Sequence, residues 1–209
     1  MKNVMLLKFF KYKGYAEDFC NNGSVYFNTP EAYKNDTLSV GQYDRDETLS
    51  RLQQGELLSI KIGEEKISLN NLPATLKHFN SAQNYLQCSF YHIPFELIID
   101  GTYSIDSKID NEFGWHFVAT PFEEFMLKLK STGYDFSWGP IQYFDYSKFN
   151  GSRHPFMKDN HYKYQNEFRI LLKGNYSEPF TVKLGSLKDI SILGYHQPSK
   201  IKIELSEKD

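Results

Sequence analysis

Gln165-Asn166-Glu167 stands directly before an apolar run, Phe168-Arg169-Ile170-Leu171-Leu172. A carboxylate at the mouth of a strand is carried by a rigid element, which suits a group that must be placed accurately against a substrate. Glu167 and Arg169 are two residues apart, so on a strand their side chains share a face and can pair. One reading is an edge ion pair, worth little if exposed. The other is a catalytic carboxylate that the guanidinium keeps ionised. The surrounding segment, Arg153 to Lys173, also contains His154, Lys158, His161 and Tyr162. From Lys148 to Lys173 there are six Lys/Arg and two Asp/Glu, a local +4 on a chain of net charge −2. Cations interleaved with aromatics suit a ligand with phosphates and a flat base. The competing reading is a solvated basic loop that feeds a strand.

A second constellation is Asp44-Arg45-Asp46-Glu47. Three carboxylates and an arginine in four residues can bind a metal or place a base, or form a solvated loop. The six histidines show no His-x-x-x-His or Cys/His ligand spacing, and no metal is expected. His154 and His161 lie near other candidate groups and suit acid–base work or phosphate contact. There is no Gly-rich phosphate loop and no Gly-x-Ser-x-Gly. Glu64-Glu65-Lys66, the nearest approach to a nuclease motif, is better explained as a hairpin turn.

Composition narrows the setting for this chemistry. A chain of 209 residues with 40% apolar residues is long enough for a sizeable core, and one α+β domain over residues 1–209 is expected. A net charge of −2 argues against tight, non-specific binding to nucleic acid. No apolar run reaches the ~18 residues of a membrane span, and the N-terminal run is too short for a signal peptide. Cys20 and Cys88 read as buried thiols in a reducing cytoplasm.

The elements that must hold these residues follow from pattern. Strands are expected at Val4–Lys11, Ser24–Asn28, Gln83–His92, Phe95–Asp100, Phe113–Ala119, Gly139–Asp145, Glu167–Lys173, Phe180–Leu184, Ile190–Leu193 and Ile201–Leu205. A hairpin is expected from Leu57–Ile62 and Lys66–Leu69 around Gly63-Glu64-Glu65, after a polar stretch over Lys34–Gln54. Tyr15, Phe19 and Cys20 share one helical face. Thr29-Pro30-Glu31 opens a second helix. Thr120-Pro121-Phe122-Glu123 opens a third, with a capping box on Thr120 and Pro121 in the first turn. Many strands, three or four short helices and no regular βαβ alternation predict an α+β fold with mixed, mostly antiparallel sheets.

Two resemblances bear on function. Phe156-x-Lys158, Tyr162 and Tyr164-Gln165-x-Glu167-Phe168-Arg169 resemble the hallmark of a broad group of bacterial and prophage proteins. Lys8-Phe9-Phe10, Gly23–Thr29, Asp44-Arg45-Asp46-x-x-Leu49, Phe113-Gly114-Trp115-His116 and Leu184–Ile190 share the likeness, which runs over most of the chain. Many members of that group sit near mobile elements and phage-defence genes. Gln165-x-Glu167 at the head of a strand also resembles the Gln/Glu-x-Glu motif of ADP-ribosyltransferases. There the last Glu bonds the nicotinamide ribose of NAD and stabilises an oxocarbenium-like transition state, and the preceding Gln orients the acceptor. That resemblance implies a basic or His residue on the first strand and a Ser/Thr-rich strand. Lys8 and Asn28-Thr29 are the candidates here. The expectation is an NAD-using transferase-like effector of a toxin or phage-defence system, with Glu167 and Gln165 catalytic. Arg169, Lys158, Tyr162, His154 and Lys8 would contact the nucleotide, and a protein or nucleic acid would be the acceptor. The alternatives are a non-enzymatic protein or nucleotide binder and a nucleic-acid-binding module.

Overall fold

The alternation of Glu167–Lys173 sets the architecture. Phe168, Ile170 and Leu172 fall on one face of the strand, and Glu167, Arg169 and Leu171 on the other. All six are buried, so this strand must lie inside a sheet that is covered on both faces. A computed structural model of the chain describes residues 4–35, 37–39, 42–80, 84–98 and 102–204.

Among these residues the strands in chain order are β1 (Val4–Phe10), β2 (Ser24–Phe27), β3 (Leu49–Ile62), β4 (Glu65–Phe79), β5 (Tyr85–Pro94), β6 (Thr102–Ser104), β7 (His116–Pro121), β8 (Phe136–Pro140), β9 (Gln142–Phe144), β10 (Gly151–Ser152), β11 (Met157–Asp159), β12 (Glu167–Lys173), β13 (Phe180–Lys183), β14 (Ile192–Tyr195) and β15 (Lys202–Glu204). The helices are α1 (Lys13–Asn22) and α2 (Phe122–Lys130), with short 3-10 turns between strands. The expected α+β class, mostly antiparallel, is what the chain adopts. The central sheet has the order β14-β7-β1-β5-β12-β8, and all its pairings are antiparallel. The short β9–β11 pair is parallel. No helix among the described residues is long and apolar enough to cross a membrane.

One face of the sheet carries the main core. Leu6, Cys88, Phe90, Val118, Phe168, Ile170 and Leu172 pack against α1, α2, β2 and β13. Phe125 of α2 lies between Phe19 and Phe90, at 6.0 and 5.3 Å between ring centroids. Both cysteines are free and buried in this layer. The other face has a smaller core of Leu7, Tyr91, Ile93, Ile109 and Phe117. The remainder of that face holds Gln87, Ser89, Glu167 and Arg169.

The sheet is split between its two middle strands. β1 pairs with β5 from Val4 to Leu7 and then leaves it, while its pairing with β7 runs on to Phe10. Gly114 permits this, because a Cβ there would sit 1.9 Å from the Phe10 carbonyl oxygen. The edge of β5 thus exposed is taken by other groups. Lys8 Nζ donates to the Ser89 carbonyl at 2.6 Å, and Asn28 pairs with Gln87. The Ser89 carbonyl and both backbone groups of Gln87 are therefore satisfied although the strands diverge.

Several expected elements differ. Pro30–Lys34 is a 3-10 turn where a helix was expected. Where a strand was expected over Phe95–Asp100, Phe95–Leu97 is also a 3-10 turn with Ile98 as its C-cap, and Ile99-Asp100 lies outside the described residues. Pro121 is the N-cap of α2 and no side chain caps it. Thr120 cannot serve because it belongs to β7, paired with Leu6. Tyr15 is exposed; the buried face of α1 is Ala16, Phe19 and Cys20. The hairpin is much longer than its apolar pattern indicated, because polar residues from Leu49 onward continue the ladder outside the core.

Phe125→Ala should cost about 3–5 kcal/mol, since it empties the stacked centre of the main core. Leu76→Ala, on the exposed part of β4, should change stability by no more than about 0.5 kcal/mol. Urea denaturation of both variants checks the pair.

Candidate active site

Glu167 opens β12 because Asn166 turns the chain sharply into it. Asn166 is in the left-handed region, φ 37°, where Asn is better tolerated than most residues. It is held against β5. Its Nδ2 donates to the His92 carbonyl at 2.6 Å, and its own carbonyl accepts from His92 N at 3.0 Å. His92 Nδ1 lies 2.8 Å from that same carbonyl, which places a proton on Nδ1. The entry to the strand is therefore fixed.

Around Glu167 lies a buried charge network. Oε1 accepts from Ser89 Oγ at 2.5 Å and from Arg169 Nε at 2.9 Å. Oε2 accepts from Lys158 Nζ at 3.0 Å. Lys158 also donates to Gln165 Oε1 at 2.9 Å. The far side of Arg169 holds Glu47, with Nη1–Oε1 at 2.6 Å and Nη2–Oε2 at 3.3 Å, and Nη1 donates to the Pro155 carbonyl. Arg169 is 1% exposed and Glu167 5%, so the edge ion-pair reading is excluded. The network lines a cavity of about 290 Å³ on this face of the sheet, over the split between β1 and β5. Phe9, Tyr33 and Phe113 contribute aromatic residues to its lining.

Charge states follow from these contacts. Burial works against ionising Glu167, but Arg169 and Lys158 outweigh it, with the bonds from Ser89 and Arg169, and hold its carboxyl well below the usual range. Glu47 is likewise held low against burial, by Arg169, Arg153 and Lys158. Asp44 behaves in the opposite way. Burial, with repulsion from Glu47, pushes it up to about 6, and its Oδ2 is buried without a partner. The site thus keeps an ionised Glu167 across ordinary pH, with a second carboxyl nearby that titrates.

The expected residues separate into groups. Glu167, Gln165, Arg169, Lys158 and Lys8 all line the cavity. Arg169 and Lys158 spend their charge on Glu167, so they position the carboxylate and do not serve as phosphate ligands. Lys8 is engaged with Ser89, with Cys88 Sγ at 3.4 Å and with the Phe90 ring. Tyr162 lies beneath Lys158, ring centroid 4.5 Å from Nζ, and donates to the Tyr43 carbonyl; it supports the cluster from outside the cavity. His154 is exposed, with Nδ1 accepting from Phe156 N, and it lies away from the cavity lining. His161 is also exposed, paired with Asp159.

The basic segment is not a solvated loop throughout, because Arg153, Lys158 and Arg169 all turn inward. Arg153 clasps the carbonyls of Asp46, Glu47 and Met157. Within the acidic run, Asp44 and Glu47 are buried and Asp46 binds Lys77 at 2.7 Å. Asn28 lines the cavity, whereas the Ser/Thr position facing Glu167 is Ser89 of β5, which sequence reasoning missed. Its one signal was alternation: Gln87, Ser89 and Tyr91 share a face of β5.

Asp44 gives a test of this network. Its raised carboxyl binds a proton more tightly folded than unfolded, so between about pH 4 and pH 6 it removes stability as pH rises. Asp44→Asn should therefore be more stable than wild type at pH 8, on the order of 2 kcal/mol, and equal to it near pH 3. Denaturant midpoints across that range read the difference.

Comparison with protein families, curated proteins and solved structures finds no match to this chain.

Proposed function

We propose that the cavity binds the nicotinamide-ribosyl end of NAD and that the protein transfers ADP-ribose. The observation that carries this reading is the placement of an ionised, buried Glu167, braced by Ser89 and Arg169, in the wall of a cavity over a split sheet. The resemblance to ADP-ribosyltransferases asks for a basic residue on the first strand, a Ser/Thr strand and the final Glu. On this reading Lys8 on β1, Ser89 on β5 and Glu167 on β12, all of which line the cavity, would fill those three places.

The charge states suit the chemistry. When the ribosyl C–N bond breaks, its electron pair leaves on the nicotinamide nitrogen, which becomes neutral. That leaving group takes no proton, so no general acid is required. The ribosyl ring gains positive charge, and a fixed negative group beside it stabilises the transition state. The described partners leave acceptor capacity on Glu167 Oε2 for a ribose hydroxyl. Gln165, tied to Lys158, would face the incoming acceptor. A cavity of about 290 Å³ suits the nicotinamide riboside portion, so the adenylate would extend outward.

A second reading, a protein-binding module, draws on the exposed apolar residues Ile67, Leu72, Leu76 and Phe79 of β4. It is favoured if a stoichiometric partner is lost on Leu72→Ser and Leu76→Ser while NAD stays intact.

Nicotinamide release from NAD, followed chromatographically, tests the first reading. Glu167→Gln should lower release by at least about 10²-fold with the fold retained by circular dichroism. Ser89→Ala should lower it less, by about tenfold. Equal release by wild type and Glu167→Gln would remove the role given to Glu167.

A further inference from the structure

Gln87 is the one cavity-lining side chain among the described residues with a buried polar atom that nothing satisfies. It lies on β5, two residues before Ser89, on the same face of the strand. Its neighbours on that face, Ser89, Arg169 and Glu167, are bound to one another. Gln87 is 1% exposed, and its Oε1 has no hydrogen-bond partner. Its backbone is fully engaged, with N and O both paired to Asn28, so only the amide is uncommitted. An orphaned buried acceptor is costly and calls for a cause.

We propose that Gln87 reads the carboxamide of the nicotinamide ring. This rests on the NAD reading above and names the group that would recognise the leaving base. A primary carboxamide is the complement of a primary carboxamide: Oε1 accepts from the ligand's NH2 and Nε2 donates to its carbonyl. The terminal torsion of a Gln side chain is soft, so the amide edge can turn toward a ligand without moving the strand. Tyr33 and Phe113 contribute aromatic residues to the cavity lining, which suits a flat base. With the carboxamide at Gln87, the ribose falls next along β5 toward Ser89 and Glu167. Base and sugar are then laid out in the order of the side chains on the strand. A carboxylate in place of the ligand's carboxamide would oppose Oε1 with a negative oxygen, so the site should reject the nicotinic-acid dinucleotide.

The test uses the full chain, wild type and Gln87→Met, with NAD and with nicotinic acid adenine dinucleotide. Without ligand, Gln87→Met should melt about 2–4 °C higher, because the orphaned acceptor is gone while the volume is kept. With ligand, the rise in melting temperature should show wild type preferring NAD by about tenfold, and Gln87→Met binding the two dinucleotides alike. A merely structural Gln87 would give the reverse of the first result and leave the preference unchanged. If Gln87→Met keeps the wild-type preference, or weakens both dinucleotides equally, the assignment is overturned. Base release measured in parallel separates the two readings. Discrimination without release removes the transferase reading and keeps Gln87 as the carboxamide contact. Release without discrimination does the opposite. Binding of neither dinucleotide by wild type overturns both.

Discussion

Arg169 is the interaction on which the rest of the site depends. Its guanidinium is buried between two carboxylates that come from distant parts of the chain, Glu167 on its own strand and Glu47 in the segment before β3. Either carboxylate alone in that setting would be forced toward the neutral form by burial. Together with Lys158 they make a cluster whose charges compensate at short range. Burial is costly to each member and tolerable for the group. The cluster therefore joins the central sheet to the segment that covers it, and it fixes the orientation of Glu167 at the same time.

The path from sequence to this site was partly legible. Period-two alternation placed Glu167 and Arg169 on one face, and β12 spans the expected Glu167–Lys173. The inward turn of Lys158 was not legible, because a basic residue between aromatics reads equally well as a surface loop; what decides is a carboxylate nine residues later on a neighbouring element. Ser89 and Glu47 lie 78 and 122 residues from their partners. Their places depend on strand order in the sheet, which no local pattern encodes. His154 and Tyr162 show the converse error. They are close in sequence to the site, yet one faces solvent and the other supports the cluster from behind.

The split between β1 and β5 explains why a cavity exists here. A continuous sheet would have carried an uninterrupted pleat beneath Glu167. β1 instead follows β7, drawn by the close approach at Gly114, and the edge of β5 is sealed by the Lys8 amine and by Asn28. Ser89 thereby borders the cavity from a strand in the interior of a sheet, with Gln87 buried in its lining. The result is a polar recess with rigid backbone on both sides, the kind of support that precise placement of reacting groups requires.

The segment from Asn28 to Glu47 has a further consequence. Asn28, Ala32, Tyr33, Leu38, Gln42 and Glu47 line the cavity, and the segment is held at its end by Arg169 on Glu47 and by Arg153 on the Asp46 and Glu47 carbonyls. The wall is thereby tied to the sheet through two guanidinium groups, and moving Glu47 away would leave Arg169 with a single carboxylate in a buried setting.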